Sequence, residues 1–250
     1  MGDDAANDLT RALGAAAGTV AAQTGAQRTA HALREAILSG RVGPGAQVGE
    51  SRISTAFDVS RNTAREALRL LAAEGLVSHQ PNHSPIVTVL GSGDVEDVFA
   101  VRTVIEVGAI DLIARRRAAV DFGPLREAVA RLGRLAEFGD PTEVIEADLS
   151  FHAALVGAAG SPRLTAAFSR IENEVRLCLS ISTRSHGTVG ELVEQHDQLL
   201  KLAEGGRHEQ LRKLLREDME EAARIVIDGL PADGEPVAAA TPEAAPGGDR

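Results

Sequence analysis

This sequence predicts a mainly α chain in two parts: an N-terminal winged helix-turn-helix and a C-terminal antiparallel bundle of six or seven helices. Three observations carry the prediction. Two short apolar-striped segments meet at a tight turn within Glu50–Gly75. Two β-prone runs flank a turn containing Pro81 and Pro85 just beyond them. From about Val95 to Asp228, apolar residues recur at helical spacing between breaks rich in Gly and Pro.

Each element has a local reason. Ala32, Leu33, Ala36 and Ile37 stripe a first amphipathic helix, and Gly43-Pro44-Gly45 must turn the chain after it. Ile53, Ala56 and Phe57 fall at i, i+3 and i+4 of a second, short helix, with Val59 plugging the turn that follows. Ser60 stands where an N-cap belongs; Ala64, Leu68 and Leu71 form the inward face of a third helix, which Gly75 ends. The runs LVS and IVTVL around Pro81, Asn82, His83, Ser84 and Pro85 read as the hairpin wing. In the bundle, Phe122-Gly123-Pro124, Gly139-Asp140-Pro141, Gly160-Ser161-Pro162, Ser185-His186-Gly187 and Gly205-Gly206 divide six helical segments, the first striped by Val98, Val101, Ile105 and Leu112. The domain limits are 27–90 for the winged helix and 91–230 for the bundle. Residues 1–26 and 231–250, rich in Ala, Gly and Pro, read as a flexible N-terminal segment and a disordered tail.

Composition sets further bounds. A chain of 250 residues that is 44% hydrophobic can build both cores, although six Phe and no Trp or Tyr leave them to aliphatic side chains. The single cysteine, Cys178, excludes an intramolecular disulfide and a cysteine metal cluster, and reads as a buried structural thiol. Early acids rather than a basic leader, and no long apolar run, predict a cytoplasmic protein without a membrane partner. The formal net charge of −10 is unevenly spread: residues 27–90 hold seven Arg against five Asp or Glu, residues 91–230 seventeen Lys or Arg against twenty-four acids. The winged helix is therefore mildly basic, as contact with phosphates requires.

Arg61, Asn62, Thr63 and Arg65 occupy the first turn of the third helix and point away from its Ala64/Leu68 face. A helix-turn-helix presents those positions to base edges, where arginine bonds guanine in bidentate fashion. The plainer reading is a helical hairpin with solvated arginines. In the bundle, Asp148 and His152 are four residues apart, hence on one helical face, and His196 lies on a later helix. One carboxylate and two imidazoles converging from different helices suit Zn²⁺, with Mn²⁺ or Ni²⁺ as alternatives, whereas an Asp/His pair alone is more often a hydrogen bond. Arg102 interrupts an apolar face and is suited to hold a carboxylate, or else a salt bridge to Glu106 four residues on.

Matches to two family patterns add to this reading. The segment LREAILSGRVGPGAQVGESRISTAFDVSRNTAREALRLLAAEGLV resembles the DNA-binding domain of GntR-family transcriptional regulators. The resemblance implies that Arg61 and Arg65 enter the major groove with Asn62 and Thr63 beside them, while Arg52 and the wing residue His83 join the DNA-facing set. Ser51 stands where many members have arginine, and Asn82-His83-Ser84-Pro85 where many have glycine, so the operator cannot be copied from the family. The VRxxxE, DxxxH and EHxxLL-like helices resemble the FCD ligand-binding domain of the FadR branch. In its metal-binding members this implies ligands at Asp148, His152, His196 and Asp218, the last replacing the family's histidine, and Arg102 as the holder of an effector's acid group.

Together these readings predict a homodimeric regulator that binds an inverted-repeat DNA operator and responds to a small-molecule carboxylate effector near a divalent transition metal. It is not expected to be an enzyme. The alternatives are a metal-dependent hydrolase with Glu194 as base, a metal-free domain for an acyl-type ligand, and a purely dimerising scaffold.

Overall fold

The computed structural model describes residues 24–78, 83–116, 119–136, 139–181 and 188–230. Pro81 and Asn82 of the wing, the break at Ser185-His186-Gly187 and the tail from 231 lie outside these residues, as does the N-terminal segment up to residue 23.

The first helix, α1 (Gly25–Leu38), begins two residues before the predicted boundary at 27. Thr24 and Gln27 form a reciprocal capping box: the Thr24 hydroxyl accepts from the Gln27 amide, and the Gln27 side chain accepts from the Thr24 amide at 2.8 Å. That cap draws Gly25 and Ala26 into the helix. Helices α2 (Glu50–Ala56) and α3 (Arg61–Ala73) follow, joined by a turn in which Asp58 takes the left-handed conformation at φ 50°. Ser60 caps α3 by accepting from the Thr63 amide, as the sequence predicts. Gly75, at φ 73°, ends it; the left-handed region there favours glycine. Strands β1 (Val77–Ser78) and β2 (Ile86–Val87) pair antiparallel, Val77 opposite Val87, and Gln47 bridges Ile86 from the other side. Ala30, Leu33, Ile37, Ile53, Leu68 and Leu71 are buried in the core of this domain. Ala32 and Ala56, expected inside, are exposed.

Six helices make up the described part of the second domain: α4 (Ser92–Arg115), α5 (Gly123–Leu135), α6 (Pro141–Ala158), α7 (Pro162–Ile181), α8 (Val189–Glu204) and α9 (His208–Asp228). Asp94, in the short Gly-Ser-Gly-Asp run, accepts from the Gly91 amide and starts α4 three residues earlier than its apolar stripe suggests. Helix α4 packs on α6, α7 and α9, while α5 packs on α6 and α8. Its stripe differs from the prediction: Val98 and Ile105 are buried, but Val101 and Leu112 are exposed together with Val104. Apolar residues occur around most of this helix, so spacing alone does not choose its inner face. Cys178 is fully buried, and burial pushes its thiol up to about 12. Among the described residues, no helix is long and apolar enough to cross a membrane.

The domains share a seam. Leu177 of α7 lies in the core of the winged helix rather than that of the bundle. Glu74, which closes α3, accepts from Arg34 of α1 at 2.7 Å and from Asn173 of α7 at 3.0 Å. A side chain at Gly75 would meet Glu174 at 2.6 Å, so the closeness of the seam adds to the demand for glycine there.

Candidate metal centre and nucleic-acid interface

Helix α6 starts on Asp140, whose carboxylate accepts from the Thr142 amide, with Pro141 at the first helical position. Its spacing places Asp148 and His152 on one buried face, and α8 brings His196 against them. Asp148 Oδ1 lies 3.0 Å from His196 Nε2 and 3.7 Å from His152 Nε2. One ligand atom from each of the three residues falls within 4.8 Å of the others. The structure therefore brings together three of the four expected ligands.

The hydrogen bonds behind the imidazoles set their orientation. His196 Nδ1 is 2.8 Å from the Leu192 carbonyl oxygen, which can only accept, so Nδ1 carries the proton. His152 Nδ1 is 2.6 Å from Glu106 Oε2. Burial raises the Glu106 carboxyl, but His152 and Arg102 outweigh it and hold the group below its ordinary range; the ionised carboxylate accepts. With both Nδ1 atoms engaged in this way, both Nε2 atoms face Asp148, the arrangement of carboxylate- and carbonyl-backed metal ligands. The buried His196 Nε2 makes no aligned hydrogen bond, although Asp148 is 3.0 Å away. Such closeness without alignment suits two lone pairs that share an ion, and the N₂O donor set suits a first-row divalent metal. Phe151 packs edge-on against both rings, its centroid 5.5 Å from His152 and 4.8 Å from His196.

Without an ion, the cluster is a charged network. Burial and Arg102 oppose protonation of His152, but Glu106 and Asp148 prevail and raise it to about 9. Asp148 is held well below its ordinary value against burial, chiefly by His152 and His196.

Asp218 departs from the expected set. It is buried on α9, yet it is not part of the three-residue cluster; its Oδ1 accepts from the Gln195 side chain. Burial raises its carboxyl, with the nearby histidines opposing.

Arg102 is 1% exposed, and its Nε donates to Glu106 at 2.8 Å, as the plainer reading expects. Its Nη2 lies 3.7 Å from Asp148 Oδ2 and is buried without a hydrogen-bond partner among the described residues. A cavity of about 410 Å³ is lined by Arg102, Asp148, His152 and Asp218. The link from Glu106 to His152 spans 46 residues of sequence and is not legible from the Arg102–Glu106 spacing. Glu194, the base considered for a hydrolase, is exposed and does not line this cavity.

On the winged helix, Arg61, Asn62 and Arg65 are exposed on α3. Arg65 is held by Glu50 of α2 through two hydrogen bonds, 2.6 and 2.8 Å. Thr63 is half-buried and its hydroxyl shares a 2.8 Å hydrogen bond with Ser60, so it braces the cap. Arg52 is exposed and donates to the Gln47 carbonyl oxygen at 3.2 Å; His83 is exposed beside the wing.

A winged helix-turn-helix joined through one shared seam to a helical domain with a polar-floored cavity defines a DNA-binding transcriptional regulator. Residues 25–87 match the bacterial regulatory proteins of the gntR family and residues 97–221 match the FCD domain. The chain belongs to the GntR family and carries an FCD domain. A solved GntR-type regulator structure from Rhodococcus sp. RHA1 is 30% identical, covers 81% of this chain and 97% of its own, and superposes with a TM-score of 0.72. The transcriptional regulator LutR of Bacillus subtilis is 24% identical over 68% of this chain and 86% of its own length. The gluconate operon repressor of the same organism is 26% identical over 52% and 54%. These relatives are transcriptional regulators, which sets aside the hydrolase reading.

Proposed function

We propose that this regulator is a homodimer whose operator affinity is set by a carboxylate effector bound in the cavity, between Arg102 and a divalent transition ion held by Asp148, His152 and His196. The observation that carries this reading is the buried Arg102 Nη2, which has no hydrogen-bond partner among the described residues, together with the unaligned His196 Nε2. A cation donor and a metal-ligand atom, both withheld from water, are suited to an anion and an ion respectively. A bound ion supplies Lewis-acid attraction for the effector's oxygens. Arg102 orients the acid group, while Glu106 keeps Arg102 and His152 in place.

Coupling to DNA follows the ion pairs. Glu146, two residues before Asp148 on α6, accepts from Arg176 of α7 at 2.6 Å; Arg176 donates to Asn173, and Asn173 donates to Glu74 at the end of α3. An effector that favours one position of α6 biases this chain of contacts and with it the placement of the recognition helix. Calorimetry with acetate, the simplest carboxylate probe, on wild type and Arg102→Lys tests the acid-binding step. Lysine keeps the charge and loses the fork, so binding should weaken without disappearing. Equal heats from both proteins would place the acid elsewhere.

For DNA, Arg65→Ala is expected to weaken specific binding by about 1–3 kcal/mol while the dimer persists. Fluorescence anisotropy with a fragment that wild type selects from a random library measures this. Unchanged affinity would remove Arg65 from the interface. Glu50 competes with DNA for this arginine, so Glu50→Gln should move affinity the other way.

Two recognition helices are needed to read an inverted repeat, and the exposed stripe of α4 formed by Val101, Val104 and Leu112 offers a second copy an apolar face. Val104, 72% exposed, can change without disturbing the bundle. Val104→Glu should shift sedimentation from dimer to monomer; an intact dimer would move the interface off α4.

A further inference from the structure

We infer that the effector is a monocarboxylic acid with a hydrocarbon body, rather than a dicarboxylate or a polyhydroxy acid. The inference rests on the proposed binding of a carboxylate at Arg102, and it comes from the walls of the cavity.

Five helices contribute to the lining, α4 through Arg102 and α7 through Leu179, and the three that run along it share one division. On α6, Val144 comes one turn before Asp148. On α8, Val189 and Leu192 precede His196 at helical spacing. On α9, Ala222 and Ile225 follow Asp218. Helix α9 runs oppositely to α8, so these steps lead away from the polar floor in the same sense. Seven residues from Asp218 to Ile225 rise about 10 Å, enough for an extended hydrocarbon body. The apolar side chains offer neither donors nor acceptors, and the neutral polar ones are already engaged: the Thr188 hydroxyl accepts from the Glu191 amide and the Gln195 amide donates to Asp218. A hydroxyl held against such a wall loses its water with little replacement.

The charge of the described lining disfavours a second acid group. Arg102 is the only arginine or lysine among the described residues that line the cavity, and it already faces Glu106 and Asp148. The other charged lining groups include the carboxylates of Glu191 and Glu221. Glu191 accepts from the Thr188 amide, and Glu221 from Arg224, which keeps both as acceptors. A distal carboxylate would meet apolar walls or like charge. The volume of about 410 Å³ exceeds what an acid group alone needs and falls among ordinary ligand pockets.

Three six-carbon acids isolate the property in question: hexanoate, adipate with a second carboxylate, and gluconate with hydroxyls. Titration calorimetry on untagged full-length protein, with and without added Zn²⁺, should rank hexanoate at least tenfold tighter than the other two under both conditions. Ile225→Asp should lower hexanoate affinity at least tenfold while leaving Zn²⁺ content unchanged. Adipate or gluconate binding as tightly as hexanoate would overturn the hydrocarbon-body inference and leave the carboxylate reading in place. Hexanoate affinity unchanged by Ile225→Asp would also overturn the placement of the body along α9. If none of the three acids binds under either condition, the carboxylate reading falls and the inference falls with it.

Discussion

Replacing His196 with alanine is expected to reduce bound transition metal from about one ion per chain to a trace. The proposed centre has three candidate ligands in reach of one another, and the mutation deletes one whose Nε2 has no aligned hydrogen bond among the described residues. Loss of a group that merely supports a ligand costs roughly 10–100-fold in metal affinity, so loss of a ligand itself should exceed that. The fold should survive, because the His196 ring, besides facing Asp148 at 3.0 Å, bonds the Leu192 carbonyl of its own helix and packs against Phe151 and His152, and Asp148 keeps Arg102 and His152 as partners. Elemental analysis of untagged protein decides the matter. Metal content equal to wild type would place the ion elsewhere. Wild type that takes up no Zn²⁺, Mn²⁺ or Ni²⁺ would leave these residues as a polar core.

The largest loss of stability should come from Glu106→Ala. Glu106 is fully buried and serves two partners, Arg102 and His152, which are both buried as well. Removing it strands a guanidinium in the core, a defect of about 3–5 kcal/mol. For a domain of this size that corresponds to a drop of roughly 10 °C in melting temperature. The double variant Arg102→Met with Glu106→Met should recover most of it, since replacing a buried pair by apolar groups is often neutral. Thermal melts followed by circular dichroism test both. A single variant that melts within about 2 °C of wild type would mean that the cavity hydrates Arg102 well enough to dispense with its partner.

How far the sequence revealed this architecture depended on the range of the interactions. The recognition helix was legible because its cap, stripe and terminal glycine lie within sixteen residues, from Ser60 to Gly75. The start of α1 was not, since one Thr24–Gln27 pair decides it within an Ala- and Gly-rich run. Asp148 and His152 share a face by spacing alone, but convergence of His196 rested on family resemblance. Asp218 could be placed near the site but not assigned a partner, because Gln195 sits on another helix. Of the two readings of Arg102, the salt bridge to Glu106 has its counterpart in the structure, while Nη2 is left without a hydrogen-bond partner among the described residues. Sequence offered them as alternatives because it cannot divide one guanidinium between two directions. The exposure of Val101 and Leu112 was hidden by the nearly all-round apolar character of α4.

Leu177 carries a consequence for how this architecture can be taken apart. It is 2% exposed and completes the core of the winged helix, although it belongs to α7. A fragment cut at Gly91 would lack that plug, and a leucine missing from a core costs about 2–5 kcal/mol. The reader head is thus not a portable cassette. A chimera grafting it onto a foreign sensor would need a leucine at the matching point of the new partner.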